Sequence, residues 1–188
     1  LYTELDIIKG CKNNSSSAQQ LLYTRYAPAL KSVCMRYVKD KDDAKDVLHD
    51  SFIKIFNQIG KYKGEGSFEG WLKRIVINMA LDHVKKNQKN KFVSSDNFDL
   101  AEKEESTETS SDVLLNAGFS ADDLLAMLQN IQTDYALVFN MFYIDKLNHK
   151  EISELLVIDE NTSRTRLFRA KVQLKKELEK QLTKLRKN

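Results

Sequence analysis

Between Asn161 and Lys176 the chain carries Arg164, Arg166, Arg169, Lys171, Lys175 and Lys176 with no acidic residue among them. Solvated surface helices usually mix signs, with a carboxylate one turn from each cation. Six uncompensated cations instead suit a polyanion: guanidinium groups can grip a guanine edge bidentately, and ammonium groups neutralise phosphates. A helical projection of this stretch turns Ser163, Leu167, Ala170, Leu174 and Leu178 to one side, as a packing face. Asn161, Thr165, Phe168, Arg169 and Lys176 fall on the opposite side, with Arg164 and Arg166 on the flanks. Phe168 on that outward side can meet a thymine methyl, and the flanking arginines can reach phosphates. A merely solvated basic helix is the competing reading, and the unbalanced charge and the outward Phe argue against it.

Two further groups of polar residues lie on helical faces left over after packing. Asp43, Asp46, Asp50 and Asn57, with His49 beside them, lie opposite an apolar stripe and form an acidic face that suits a basic protein surface better than DNA. Arg74, Asn78, Asp82 and Lys85 line another strip, preceded by the basic, glycine-containing loop Lys61-Tyr62-Lys63-Gly64-Glu65-Gly66. Basic residues interleaved with aromatics suit single-stranded nucleic acid, where charge follows the backbone and rings stack on bases. Trp71 belongs by spacing to the packing face and is expected in the core rather than under a base. No nucleophile with its base, paired carboxylates, phosphate loop or metal cluster stands out, so no enzymatic activity, cofactor or metal is expected. His83 and the other histidines are scattered, and Cys11 and Cys34 are too few for a disulfide framework.

The elements that must position these residues are all helical by pattern. Ala44, Val47, Leu48, Phe52, Ile55, Phe56 and Ile59 recur at helical spacing behind Asp42 as a cap and before Gly60 as a stop. Phe68, Trp71, Leu72, Ile75, Val76, Met79 and Val84 repeat the pattern behind Ser67. An earlier helix is expected over 18–38, bent or interrupted at Pro28. Later helices are expected over 124–128, 135–144, 149–156 and 162–182. Asn148 with Glu151 is a capping box, and the short break Val157-Ile158-Asp159 joins the last two helices into a helix-turn-helix.

Charge divides the chain into three. Residues 1–95 carry a net +7, residues 96–124 a net −8, and residues 125–188 a net +4. The run SSDNFDLAEKEESTETSSD over 94–112 is acidic and poor in apolar residues, so it reads as a flexible tether. A sharper alternative is that its acids imitate nucleic acid. The expected fold is therefore all-α: two small helical domains, 1–93 and 124–188, joined by an acidic linker over 94–123. No apolar run is long enough to span a bilayer and no secretion signal opens the chain, so a cytoplasmic location without membrane insertion is expected. Leu1 in place of Met suggests a trimmed start.

DAKDVLHDSFIKIFNQIGKY, GSFEGWLKRIVINMALDHVKK and HKEISELLVIDENTSRTRLFRAKVQLKK, in this order, resemble the extracytoplasmic-function group of bacterial RNA polymerase sigma factors. The resemblance covers roughly residues 18–90 and 124–180, and it implies a promoter-specificity subunit with two working domains. The first would match sigma region 2, docking on core RNA polymerase through Asp43, Asp46, His49 and Asp50. It would also recognise and melt the −10 element with Lys61, Tyr62, Lys63, Arg74, Asn78, Asp82 and Lys85. Capturing a flipped base costs a few kcal/mol of stacking, which the pocket must offset. The second would match region 4, reading the −35 element of promoter DNA through Asn161, Arg164, Thr165, Arg166, Phe168 and Arg169. The family also implies an anti-sigma factor that covers the polymerase-binding faces. Two departures stand out: Val157 and Asn161 occupy positions where such turns often have glycine, so the turn is expected to differ in detail. A stand-alone helix-turn-helix regulator is the alternative, and it leaves the acidic face without a purpose.

Overall fold

The computed structural model describes residues 2–87 and 120–185, and within them every regular element is a helix. The chain divides into two compact units, Leu1–Val93 and Ser94–Asn188. The tether expected over 94–123 lies outside the described residues except for Ser120 to Asp123, which form the cap and first turn of a helix.

The first unit begins with α1 (Glu4–Lys12), a helix that the apolar pattern does not announce. Its signal is a capping box: Thr3 Oγ1 accepts from the Asp6 amide, and the Asp6 carboxylate accepts from the Thr3 amide at 3.0 Å. α2 (Ser16–Tyr37) follows, and α1 lies close against it because Gly10 has no Cβ; a Cβ there would stand 2.4 Å from that of Ala18. The Tyr26 hydroxyl donates to Glu4 Oε2 at 2.6 Å, tying the same pair of helices. Burial, with Glu4 next in effect, pushes the Tyr26 phenol up to about 12. Pro28 does not interrupt α2, which continues through it to Tyr37. Pro28 and Thr24, whose carbonyl loses its helical donor there, both lie on the exposed side, where water can take the missing bond's place.

α3 (Lys41–Gln58) starts two residues earlier than the sequence suggested. Asp40, not Asp42, is the cap, and its carboxylate accepts from the amides of Asp42 and Asp43 at 2.9 Å each. Those two bonds hold the Asp40 carboxyl below the usual carboxylate range. A 3-10 turn (Ile59–Lys61) and a short loop lead to α4 (Phe68–Asn87), capped as expected by Ser67, which accepts from the Gly70 amide at 3.0 Å. α2, α3 and α4 pack on one another around Leu22, Leu30, Ile55, Phe68, Leu72 and Val76, all fully buried. Each such side chain contributes about 1.5–3 kcal/mol relative to exposure. Cys11 and Cys34 are buried there as free thiols, and burial pushes the Cys34 thiol up to about 11, which keeps it protonated and unreactive.

The second unit holds α5 (Ala121–Asn130), α6 (Thr133–Phe139), which continues into a π-helical turn (Asn140–Ile144), α7 (His149–Leu156) and the long α8 (Glu160–Leu185). Its core gathers Leu128, Ile131, Tyr135, Ala136 and Ala170, with Phe139 and Leu174 against it. α6 and α8 form its main helix pair, which places α6 behind the basic segment.

Candidate nucleic-acid interface

The helix-turn-helix forms as its sequence signals require. Asn148 accepts from the Glu151 amide at 3.0 Å while Glu151 accepts from the Asn148 amide at 2.9 Å, closing the box that opens α7. α7 ends with the Ile158 amide donating to the Ser153 carbonyl at 3.1 Å, a Schellman closure. That closure needs a left-handed residue at position 157, and Val157 supplies it at φ 57°, ψ 52°. The expected difference in the turn is therefore absent: the glycine-type geometry is kept and a β-branched residue bears the strain. Asp159 then opens α8, its carboxylate accepting from the Thr162 amide at 2.7 Å and the Thr162 hydroxyl at 2.6 Å. These bonds lower the Asp159 pKa.

The inward and outward faces of α8 follow the helical projection in most positions. Ser163, Leu167 and Ala170 are buried, while Asn161, Arg164 and Phe168 are exposed. Ser163 is fully buried yet satisfied by His149, whose Nδ1 lies 2.9 Å from Ser163 Oγ. The His149 ring stacks on Phe142, with centroids 4.8 Å apart, so the π-helical turn, α7 and α8 meet at one imidazole. Burial, then the nearby Arg164, lowers the His149 pKa.

The arginines divide in a way no projection shows. Arg164 is exposed and pairs with Glu160 at 2.9 Å along its own helix. Arg166, expected at a phosphate, turns back instead: its side chain is only 15% exposed and Nη2 lies 3.5 Å from Asp134 of α6. The carboxylate of Asp134 on α6 lies within ion-pair distance of it there. Arg169 lies between the two extremes, with Nη1 donating to the Tyr135 hydroxyl at 3.0 Å and the guanidinium carbon 6.0 Å from the Tyr135 ring centre. Thr165 is half-buried between Asn161 and Phe168. The sequence reading missed Val172, which at 38% exposure continues the apolar step of Phe168, also 38% exposed, one turn along.

In the first unit the loop before α4 is closed by its own aromatic residue. Tyr62 is buried, its hydroxyl donates to the Gly66 carbonyl at 3.0 Å, and its ring packs on Phe68 and Trp71 at 5.0 and 5.4 Å. Tyr62 is thus a core residue in this conformation, not a ring offered to a base. Gly64 and Gly66 take positive φ, 83° and 74°, and let the loop fold over it. Lys61 and Lys63 stay exposed, and Arg74, Asn78, Asp82 and Lys85 run along one strip of α4, with Arg74 and Asp82 the most open. Trp71 is half-buried, stacked on Phe68 at 5.8 Å. Lys54 of α3 was missed: its ammonium reaches across to the Met79 thioether at 3.4 Å, leaving a half-buried cation beside the α4 strip.

On α3, Asp46, His49 and Asp50 are exposed together. Asp43 departs from them, with Oδ2 3.2 Å from His83 Nε2 on α4. Ile53, half exposed one turn beyond His49 and Asp50, adds an apolar centre to the acidic face. Its spacing from Asp46 and Asp50 was visible in the sequence, but it was not counted because it lies off the packing stripe.

Comparison with known proteins matches these two units separately. Residues 22–90 match Sigma-70 region 2, and residues 121–174 match Sigma-70 region 4, together well over half the chain. The chain is 23% identical over 183 residues to the ECF RNA polymerase sigma-E factor of Haemophilus influenzae, covering 94% of this chain and 96% of that one. It is 24% identical over 178 residues to the RNA polymerase sigma-H factor of Pseudomonas aeruginosa, covering 92% of each. Among solved structures, the sigma factor RpoE in complex with the anti-sigma factor NepR from Bartonella quintana aligns with a TM-score of 0.56 at 16% identity, over 85% of this chain and 96% of that one. CnrH in complex with the cytosolic domain of CnrY aligns at 0.53 and 17% identity, over 92% and 95%. With both units matched in order and these relatives aligned over more than nine-tenths of their length, the chain belongs to the sigma-70 family as an extracytoplasmic-function sigma factor.

Proposed function

We propose that this sigma factor binds bacterial core RNA polymerase through the exposed face of Asp46, His49, Asp50 and Ile53, and reads promoter DNA with its other two faces. Asp43 supports that docking face from its edge through His83. Lys61, Lys63, Arg74, Asn78, Asp82 and Lys85, joined by Lys54, form the surface for the opened −10 element; Tyr62 and Trp71 build its floor. Asn161, Arg164, Thr165, Phe168 and Arg169 read the −35 element in the major groove, while Arg166 braces the recognition helix against α6. The protein acts in the cytoplasm as a specificity subunit and not as an enzyme, and no helix among the described residues is long and apolar enough to cross a membrane. The Bartonella quintana sigma factor RpoE is solved in complex with the anti-sigma factor NepR, and this chain likewise takes an anti-sigma factor as a partner.

The observation that carries this reading is the capped, Schellman-closed turn that presents Asn161, Arg164 and Phe168 on the open side of α8. The test is retention of core RNA polymerase by the purified full chain, followed by transcription from a promoter library. Retention, with start sites sharing paired −35 and −10 motifs, is expected. No retention, with tight binding of the chain alone to duplex DNA, would make it a stand-alone regulator.

A further inference from the structure

The open side of α8 has an apolar centre. At about 100° per residue, its outward arc runs from Phe168 through Asn161, Val172, Thr165 and Lys176, which puts Val172 near the middle. Phe168 and Val172 are each 38% exposed, one turn apart, while Ser163, Leu167 and Ala170 on the other side are buried. No acidic residue lies between Asn161 and Lys176, and Lys175 and Lys176 are exposed just beyond Val172. We propose that Val172 is a specificity-determining residue that, together with Phe168, reads the C5 methyl groups of two thymines in the −35 element. The inference rests on the −35 reading above.

The physical argument is one of complementarity. At an exposed position inside a helix, folding alone favours Lys, Glu or Gln over β-branched valine, which loses rotamer freedom against the preceding turn. An apolar stripe set within an acid-free basic face suits a partner that is anionic at its edges and apolar at its centre. The major groove of duplex DNA is such a partner. Phosphates line its walls, and the thymine C5 methyl is the apolar feature its base edges present. Lys175 and Lys176 suit the phosphates, whereas a basic protein surface would meet like charge there. Phe168 and Val172 lie about 6 Å apart along the helix axis, four residues at about 1.5 Å each. Base pairs follow one another at about 3.4 Å, so the two thymines fall within about two steps of each other.

The experiment uses the full chain bound to core RNA polymerase, with holoenzyme limiting and transcription measured from a promoter recovered from the library above. Each thymine of its −35 element, on either strand, is replaced singly by deoxyuridine, which keeps the pairing edge and lacks only the C5 methyl. Two positions should each lose about two- to fivefold in initiation, the effect of one methyl withdrawn from apolar contact. Val172→Ala should abolish the loss at one of them and leave it at the other, where Phe168→Ala abolishes it. Val172→Ile, which keeps an apolar side chain, should preserve both losses, and far-UV circular dichroism reports that the variants are folded. A −35 element without thymine on either strand overturns the proposal, as does a deoxyuridine series whose pattern Val172→Ala leaves unchanged. Weaker retention of core RNA polymerase by Val172→Ala would make the stripe a protein contact and overturn it likewise. If scrambling the −35 element leaves initiation unchanged, the −35 reading fails and takes the proposal with it. If scrambling abolishes initiation and deoxyuridine has no effect at any position, only the proposal falls.

Discussion

Val157→Gly should stabilise the second unit, against the usual direction of a large-to-small change. Val157 sits at φ 57°, ψ 52°, where an L-residue's Cβ crowds its own carbonyl at a cost of about 1–2 kcal/mol, and a β-branched side chain is among the worst suited. Its side chain is 82% exposed, so little burial is lost on removing it. Against the relief stands the greater freedom of glycine in the unfolded chain, about 0.5–1 kcal/mol. The net gain is about 0.5–1 kcal/mol, which in a unit this small raises the melting temperature by roughly 2–8 °C. Trp71 is the sole tryptophan and lies in the first unit, so its fluorescence reports that unit alone. Calorimetry of the full chain should therefore show a shifted transition while the Trp71 midpoint stays put. Val157→Ala, which keeps a Cβ but loses the branch, should fall between. A lower or unchanged transition in Val157→Gly would refute the strain argument, because nothing else at this exposed site offsets the backbone term.

Gly10→Ala should destabilise the first unit by about 1–3 kcal/mol, since the new methyl meets the Ala18 methyl at 2.4 Å and must push α1 off α2; the midpoint of Trp71 fluorescence in urea measures it. Asp50→Arg should reduce retention of core RNA polymerase while leaving the folded first unit's Trp71 midpoint unchanged, and undiminished retention would remove Asp50 from the docking face. The lowered pKa of His149 means that the unfolded chain binds its proton more readily than the folded one. Its contribution to stability is complete above about pH 6.5 and is lost as pH falls through the folded value. Thermal melts at pH 7.5 and 5.5 should show a drop in the second unit that His149→Gln reduces.

Most of the helices, several of their caps and the acidic stretch between two helical units were legible because each rests on local spacing. Asn148 with Glu151 and Asp159 with Thr162 make their bonds within one turn, so the sequence alone contains both partners. Thr3 and Asp6 were equally local, and α1 was overlooked because a helix of nine residues repeats its apolar spacing too few times to stand out. Asp46, His49 and Asp50 emerged exposed because a projection about the helix axis does fix where a short side chain leaves. What the projection cannot fix is where a long side chain ends. Arg166 and Arg169 leave α8 toward solvent by spacing, but Asp134 and Tyr135, distant in sequence, are what their guanidinium groups find. Tyr62 likewise reads as a loop aromatic until Phe68 and Trp71 close over it. Val157 takes a conformation its own preferences oppose because the Schellman bonds closing α7, and the packing of α7 on α8, outweigh a penalty confined to one residue. Local chemistry, then, determined where the helices lie and which faces are charged. Tertiary packing decided which partners those charges find within the fold, because the reach of a long side chain is set by what the fold brings near.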